Sequence, residues 1–365
     1  MRFAFTEQQT QFRDAVRQVL DKECTPDHLR AAFENPAARS ARWATLAEMG
    51  VVGLTVPEAY GGLGLHLLDL VPLLEEGGRA ALPEPLIETT ALAAPLLSGF
   101  PSGPVAGWLE DMAGGRITAA VAPVDGTGSS PAAGIRAPTV AAAAGADLFI
   151  LSAAPDPAGR ASELHAVPGA DVTVTPVASL DPTRRLGTVE WEPSPATLIA
   201  SGPPAHAALG DLANRASVAT GAELLGLADR MITLAANYAK ERNQFGKPIG
   251  SFQAVKHLLA GAQVKLEFAR PAVYAAAWSL DDDALGRSPD SWRRASLAKA
   301  YASDAATEAA RVSLQVHGAI GYTWECDLHL YLKRAWALAE SWGSAADHRR
   351  RILSSLVEEV GGTES

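Results

Sequence analysis

Cysteine is scarce in this sequence, and the two cysteines form no pattern that would bind a metal or crosslink a fold. Cys24 and Cys326 are the only two among 365 residues, and neither belongs to a CxxC or Cys/His spacing. This distribution argues against a disulfide framework and against a zinc site. It fits a protein of the reducing cytoplasm, and we expect the chain to bind no metal.

Positive charge and long apolar runs are also in short supply. The chain has 31 Lys and Arg against 41 Asp and Glu, a formal charge of −10, and its basic residues form only short clusters such as HRRR at 348–351. Nucleic-acid binding is therefore not expected. No stretch reaches the roughly 20 uninterrupted apolar residues of a membrane span, and the polar N-terminus has no signal-peptide core. The sequence predicts a cytoplasmic protein without a membrane span.

Hydrophobic periodicity divides the chain into three parts. Residues 1–115 have helical spacing, which begins with Thr6 and Gln9 in a capping-box arrangement. Residues 116–203 lose charge and gain Gly, Pro, Thr and Val around short runs such as DLFILSA and GTVEWE, a composition typical of strands. Helical spacing returns over 204–365. We predict an α+β fold that is mostly α, with an N-terminal helical domain, a small middle β domain and a C-terminal helical domain.

The segment ERNQFGKPIGSFQAVKH at 241–257 interrupts a helical rhythm that runs on both sides of it. The guanidinium of Arg242 suits a phosphate, the corner at Phe245 lets backbone approach beside an aromatic surface, and Gln253 offers both a donor and an acceptor. Arg242 alone is explained equally well as a cation that compensates the dipole of a helix C-terminus. The three features together favour a nucleotide diphosphate as ligand.

A second turn with little side-chain cover follows at 315–327, where the sequence reads QVHGAIGYTWECD. Gly318 and Gly321 flank an Ala-Ile pair, and Gln315 precedes them on the last turn of a predicted helix. This glycine spacing alone is a weak signal. Together with the 241–257 segment, in this order and at about this distance, it resembles the acyl-CoA dehydrogenase family of FAD enzymes.

The resemblance extends over nearly the whole chain and implies a fold, a cofactor and partners. It implies a helical, β, helical order with a C-terminal four-helix bundle, a dimer of dimers, and FAD between two subunits. It also implies desaturation of acyl-CoA thioesters between the α and β carbons. By the family's motifs, the residues that contact FAD bound mainly in the neighbouring subunit are Arg242, Phe245, Gln253, Gln315, Val316, His317, Gly318 and Ala319, and Ser344 is also assigned to the cofactor.

The sequence departs from the family where the chemistry takes place. Family members remove the α-proton with a carboxylate, in many cases the Glu of a Glu-Gly-Thr triplet past the second motif. Counted without gaps, that position is Trp342, although the Gly343-Ser344 pair is retained. Glu340 lies two residues early, roughly 200° around a helix, and the position of an alternative family Glu is Ala216. We therefore assign no catalytic residue and keep Glu340 as a weak candidate.

The middle domain shows a matching loss. Family members hold the flavin ring with a Thr-Glu-Pro segment and a later Trp-x-Thr or Trp-x-Ser segment. The corresponding region has Thr127 and Ser129 but neither segment, and no Trp occurs between Trp108 and Trp191. We interpret the GTGSS stretch around these two residues as a surface loop, with anion binding through backbone N–H groups as the alternative. By the resemblance, the residues that this chain retains contact the FAD of a neighbouring subunit. The family residues that it lacks are those that hold and use the flavin of the chain's own site.

Three functions are compatible with this pattern. The first is a non-catalytic partner that completes the FAD site of a homologous catalytic subunit, in the manner of the degenerate subunit of bacterial α2β2 acyl-CoA dehydrogenases. The second is a self-sufficient FAD homo-oligomer, either an acyl-CoA dehydrogenase or a related flavin oxygenase. The third is a scaffold protein without flavin. We favour the first, with fatty-acyl and steroid side-chain thioesters both open as substrates.

Several other charged residues have structural and functional explanations. Arg215 is a candidate for binding a CoA phosphate, with a surface ion pair as the alternative. Arg184 and Arg185 are expected to be solvated. His317 and His329 lack a third ligand nearby, so we interpret them as packing or surface residues rather than as a metal site.

Overall fold

The computed structural model describes residues 4–35, 40–122, 135–155, 161–281 and 290–362 of the chain. Helices dominate both ends of the described sequence, and strands dominate its middle. The predicted α+β class, mostly α, and the order helical, strand-rich, helical are therefore confirmed. The GTGSS stretch with Thr127 and Ser129 lies outside the described residues.

Contacts divide the chain into two compact units. One unit contains Met1–Arg30, Val71–Leu82 and Ser217–Ser365, and the other contains Ala31–Leu70 and Pro83–Ala216. The domain borders near residues 115 and 203 stay predictions from the sequence.

The N-terminal part is helical, as its periodicity predicted. The Thr6 hydroxyl accepts a hydrogen bond from the Gln9 N–H at 3.2 Å, and the Gln9 side chain accepts one from the Thr6 N–H at 2.7 Å, so the predicted capping box is confirmed. The helices are α1 (Glu7–Glu23), α2 (Pro26–Glu34), α3 (Ala41–Glu48), α4 (Leu67–Ala80), α5 (Ala94–Ser98) and α6 (Val105–Ala113). A fully buried π-helix, Ile87–Ala93, leads directly into α5.

Two small sheets form the strand-rich part. Their strands are β1 (Ala119–Val121), β2 (Ile135–Val140), β3 (Leu148–Pro155), β4 (Ala161–Pro168), β5 (Thr173–Pro176), β6 (Gly187–Trp191) and β7 (Leu198–Ser201). One sheet has the order β1-β3-β4-β7 with only β1 and β3 parallel, and the other has the antiparallel order β2-β6-β5. Phe149, Val189 and Trp191 lie in their shared apolar core.

The C-terminal helices begin with the 39-residue α7 (Pro203–Glu241). They continue with α8 (Gln253–Asp281), α9 (Ser291–His317), α10 (Leu328–Glu340) and α11 (Ala345–Gly362). Helix α9 is central, because it packs against α8, α10 and α11 and its Ser313 hydroxyl donates to the Met231 carbonyl of α7 at 2.9 Å. None of the helices in the described ranges is long and apolar enough to cross a membrane.

Candidate functional site

The first predicted cofactor segment forms a tight hairpin directly after α7. Strand β8 (Asn243–Gln244) pairs antiparallel with β9 (Lys247–Pro248), and the two residues between them, Phe245 and Gly246, have φ angles of 52° and 76°. A left-handed conformation costs a non-glycine residue about 1–2 kcal/mol. Phe245 is nevertheless 90% exposed, and its ring meets that of Phe252 edge-on with the centroids 6.1 Å apart. A strained, exposed aromatic side chain is a reason to expect a contact with something outside the chain.

Arg242 and Gln253 flank this hairpin with exposed side chains. The backbone of Arg242 is fixed, since its N–H donates to the Tyr238 carbonyl at 2.9 Å and its carbonyl accepts from the Ile249 N–H at 2.8 Å. No described residue forms an ion pair with its guanidinium. Gln253 is the first residue of α8, where unpaired N–H groups and the helix dipole favour an anion.

The second predicted segment lies at the end of α9. Gln315, Gly318 and Ala319 are exposed, whereas Val316 and His317 are buried. Gly318 ends the helix with φ 65° and ψ −140°, a conformation available to glycine. Only three of the five predicted residues therefore present surface to a ligand.

His317 is engaged inside the protein. Its Nδ1 lies 2.8 Å from the Ser313 carbonyl and therefore donates to it, and burial lowers the pKa of His317. Its ring stacks on Tyr238 near the end of α7. This contact brings the ends of α7 and α9 together, so the two predicted cofactor segments lie on adjoining elements.

The position that the ungapped count assigns to the family's base lies in the turn between α10 and α11, which we call the Trp342 turn (residues 341–344). Trp342 is half-buried, with φ 59°, and Gly343 follows with φ 97°. Ser344 directly precedes α11 and caps it: its hydroxyl donates to Asp347 Oδ2 at 2.7 Å and accepts from the Asp347 N–H at 3.2 Å. Hydrogen bonds from Ser344, then from Arg350, lower the pKa of Asp347 to about 2. The structure thus gives the Ser344 hydroxyl a capping role, and its predicted contact with the cofactor stays a prediction.

Two buried basic groups support the Trp342 turn from inside. Lys299 Nζ on α9 donates to the carbonyl oxygens of Ala339 at 2.8 Å and Gly343 at 3.1 Å. His348 Nε2 on α11 lies 3.0 Å from the Trp342 carbonyl oxygen and donates to it. Burial lowers the pKa of Lys299 to about 7; burial, followed by the charge of Lys299, lowers that of His348 to about 4.

The two other positions considered for the catalytic base, Glu340 and Ala216, supply no buried carboxylate. Glu340, the last residue of α10, is exposed. Ala216 is fully buried and carries no ionisable group. The assignment of no catalytic residue to this chain stays our interpretation.

Arg215 contacts backbone. Its Nε donates to the Ala91 carbonyl at 3.2 Å, within the π-helix Ile87–Ala93. A π-helix shifts its hydrogen-bond pattern and leaves carbonyls for outside donors. The neighbouring Thr90 carbonyl likewise accepts from the Thr55 hydroxyl at 2.5 Å. Arg215 thus stabilises an irregular helix, and its binding of a CoA phosphate stays a prediction.

The prediction that Arg184 and Arg185 are solvated is wrong. Both are buried, with 8% and 6% exposure. Arg184 Nη2 donates to Glu88 Oε1 at 2.6 Å, and Glu88 is itself 1% exposed. The partner carboxylate lies 96 residues earlier in the chain, so the local sequence gave no sign of the countercharge that permits burial.

His317 and His329 belong to no group of three potential metal ligands in the part of the chain that the structure describes. Among the described residues, no group of three His, Cys, Asp or Glu side chains is placed to hold a metal ion. His329 is buried, with its ring 4.6 Å from that of Trp324.

Comparison with known proteins decides the family. A model of the acyl-CoA dehydrogenase N-terminal domain matches residues 6–115, and one of the C-terminal domain matches residues 208–357. The chain belongs to the acyl-CoA dehydrogenase family. The predicted family is confirmed, and with it FAD as the family's cofactor and oxidoreduction as the family's class of chemistry.

Two kinds of relative are informative. The "Acyl-CoA dehydrogenase IpdE2" of Mycolicibacterium smegmatis is 33% identical over 357 residues, which cover 96% of this chain and 99% of that protein. The "ChsE4-ChsE5 complex" from Mycobacterium tuberculosis is similar in structure, with TM-score 0.86, 26% identity and coverage of 98% of this chain and 99% of that one. A variant of the "Tcur3481-Tcur3483 steroid ACAD" matches with TM-score 0.84, 27% identity and coverage of 97% and 99%.

The exposed residues fit the chemistry of FAD. The guanidinium of Arg242 suits a pyrophosphate, and Phe245 offers an aromatic face to an adenine. At Gly318 an added Cβ would meet no atom within 4 Å, so its backbone is open to a ligand. All of these groups are exposed on one chain, and their contact with FAD stays a prediction.

Proposed function

We propose that this chain is a non-catalytic subunit that completes the FAD site of a related catalytic acyl-CoA dehydrogenase, in an α2β2 heterotetramer that desaturates an acyl-CoA thioester. The observation that carries this proposal is that position 342 holds Trp in place of a carboxylate. The position where the family places its base holds a strained aromatic residue, and the carbonyls around it are bound by Lys299 and His348.

The proposed contribution of the chain is electrostatic and positional. FAD, when bound, supplies the hydride acceptor of the family's reaction. Arg242 neutralises the pyrophosphate, with charge-assisted hydrogen bonds about twice as strong as neutral ones. Phe245 covers the nucleotide from the hairpin tip, Gln253 supplies a further donor, and the uncovered backbone at Gly318 lets the nucleotide approach closely. The proton at the α carbon is removed by a carboxylate of the partner.

Two similarities support a mixed assembly and a range of acyl groups. The two solved relatives are each named by a pair of proteins, ChsE4-ChsE5 and Tcur3481-Tcur3483, and the second is called a steroid ACAD. We therefore include steroid side-chain thioesters with fatty acyl-CoA among the proposed substrates. Both relatives cover almost all of this chain, and their similarity includes the C-terminal helices that carry the FAD segments.

Native mass and FAD content test the proposal directly. The chain is purified alone and after co-expression with a related dehydrogenase that retains the family Glu. We expect a colourless chain alone and a yellow mixed tetramer with one FAD per pair of chains. A yellow homo-oligomer with one FAD per chain would support a self-sufficient flavoenzyme instead. Absence of FAD with every partner would support a scaffold role.

A further inference from the structure

The Trp342 turn contains two consecutive residues in left-handed conformations. Trp342 has φ 59° and Gly343 has φ 97°. Glycine adopts such a conformation at little cost, whereas the backbone of a residue with a Cβ atom, such as Trp, is strained in it. A strained residue persists only where surrounding contacts determine its conformation. We therefore expect the backbone around Trp342 to be held by several hydrogen bonds from other parts of the chain.

Lys299 supplies the first of these contacts. Its side chain is fully buried, and its three ammonium hydrogens match three acceptors: the carbonyls of Ala339 and Gly343 and the Ser303 hydroxyl at 3.0 Å. Ala339 lies in the last turn of α10, where unpaired carbonyls and the helix dipole favour a cation. One buried ammonium thus binds carbonyls on both sides of Trp342.

His348 and Ser344 complete the set. The His348 ring is buried, and its Nε2 binds the Trp342 carbonyl itself. The capping hydrogen bonds between Ser344 and Asp347 fix the exit of the turn. At the entry, the Ser341 N–H donates to the Ala337 carbonyl at 3.2 Å. Each of the four residues 341–344 therefore has at least one backbone group that is hydrogen-bonded to a side chain or to a helix end.

We propose that Lys299 is a positioning residue that acts with His348 to hold the Trp342 turn in a single conformation, in which the indole permanently fills the place from which the family's base acts. The inference rests on the proposed function, and it assigns the loss of catalysis to a rigid element of the fold as well as to the missing carboxylate. Lys299 is fully buried and is proposed to touch neither substrate nor cofactor. It acts through the backbone of residues 339–343.

Fluorine NMR of the full chain labelled with 5-fluorotryptophan tests this proposal. The Trp342→Phe variant assigns the Trp342 resonance, and the buried Trp43 serves as an internal reference. Lys299→Met keeps the length of the side chain and removes its donors. We expect a single narrow Trp342 resonance in the wild type, and a broadened or split one in Lys299→Met with Trp43 unchanged. Lys265→Met, at a lysine that is 55% exposed, should resemble the wild type.

A pair of histidine variants gives the same answer independently if Lys299→Met does not fold. His348→Gln retains an N–H donor for the Trp342 carbonyl, and His348→Leu removes it. We expect the Gln variant to keep the narrow resonance and the Leu variant to lose it. A narrow, unshifted Trp342 signal in either folded Lys299→Met or folded His348→Leu would overturn the proposal.

This measurement requires neither flavin nor partner. A failure here would therefore leave the FAD-to-chain ratio of the mixed tetramer unaffected. Conversely, a chain that proved yellow alone would refute the proposed function while the NMR result still reported whether Lys299 fixes the turn.

Discussion

The rings of Tyr238 and His317 stack with their centroids 4.5 Å apart and their planes 20° from parallel. The carbonyl of Tyr238 accepts the N–H of Arg242, and His317 directly precedes Gly318. This aromatic contact therefore helps to fix the spacing between the residues that we propose contact the pyrophosphate and the exposed turn that follows α9. The side chain of Arg242 projects from a backbone that is held by hydrogen bonds with Tyr238 and Ile249.

Arg242→Ala should remove FAD from the mixed complex. Loss of hydrogen bonds from a charged group costs about 1.5–3 kcal/mol, which corresponds to roughly tenfold or more in the Kd for FAD. The measurement is the flavin absorbance per tetramer after gel filtration, together with the Kd from titration of the apo complex. Lys240→Ala, at a basic residue two positions earlier, is the matched control and should retain FAD. Equal occupancy in the two variants would contradict a contact between Arg242 and the cofactor.

Phe245→Asn should separate stability from cofactor binding. Asn tolerates the left-handed conformation of the hairpin better than Phe, so we expect the free energy of unfolding to stay equal or to rise by about 1 kcal/mol. The aromatic surface is lost, so FAD retention by the complex should fall. Denaturant unfolding of the chain and flavin content of the complex are measured side by side. Phe245→Tyr keeps both the strain and the ring and should behave as the wild type.

The same variant tells which explanation of Phe245 is correct. If the residue had only a structural role, Phe245→Asn would either lower stability or leave both quantities unchanged. A fall in FAD content without a fall in stability fits only a residue whose strain is maintained for a ligand or a partner.

The sequence predicted the features that depend on local pattern. Helical periodicity placed the N-terminal and C-terminal helices, and β-branched runs between Pro and Gly placed the strands. The exposed hairpin at Phe245 was predictable because Phe-Gly, Pro and Gly within a few residues end a helix. These signals are short in range, so a single sequence is enough to read them.

Features that depend on distant partners were not predictable in the same way. Arg184 is buried because Glu88 comes to it from 96 residues away, and the π-helix of Ile87–Ala93 reads as ordinary helix in the sequence. Lys299 did leave a trace in the sequence, since it is a charged residue among the Ala and Ser residues of the buried face of α9. Its acceptors lie 40 and 44 residues further on, so its role appears only in the folded chain.

The pH dependence of stability should contain a contribution from His348. Burial, followed by the charge of Lys299 and a smaller effect of Arg351, lowers its pKa from 6.5 to about 4, against the opposing effects of the Trp342 carbonyl and of Asp347. The unfolded chain binds more protons than the folded chain between these values. Stability is therefore lost as the pH falls from 6.5 towards 4, by up to ~1.4 kcal/mol per pH unit.

His348→Gln should flatten this part of the profile, because Gln does not titrate and still donates to the Trp342 carbonyl. Urea unfolding of both proteins across this pH range gives the comparison. The exposed His257→Gln serves as the control and should follow the wild type. Parallel curves for wild type and His348→Gln would show that His348 does not titrate as a buried group.

Gly226 sets how closely α4 and α7 cross. A Cβ at this position would overlap the carbonyl oxygen of Glu75 and approach the Arg79 nitrogen to 2.6 Å. Gly226→Ala must push the two helices apart, and overpacking of this kind costs about 1–3 kcal/mol. We expect a lower midpoint of thermal unfolding. At Gly261 on α8, an added Cβ would meet no atom of a neighbouring element within 4 Å. Gly261→Ala should therefore raise the midpoint of thermal unfolding, because Ala favours a helix over Gly by about 1 kcal/mol. Because both variants make the same chemical change, a fall in the unfolding midpoint for Gly226→Ala and a rise for Gly261→Ala can arise only from the local packing. A rise in both variants would mean that α4 and α7 cross less closely than these distances indicate.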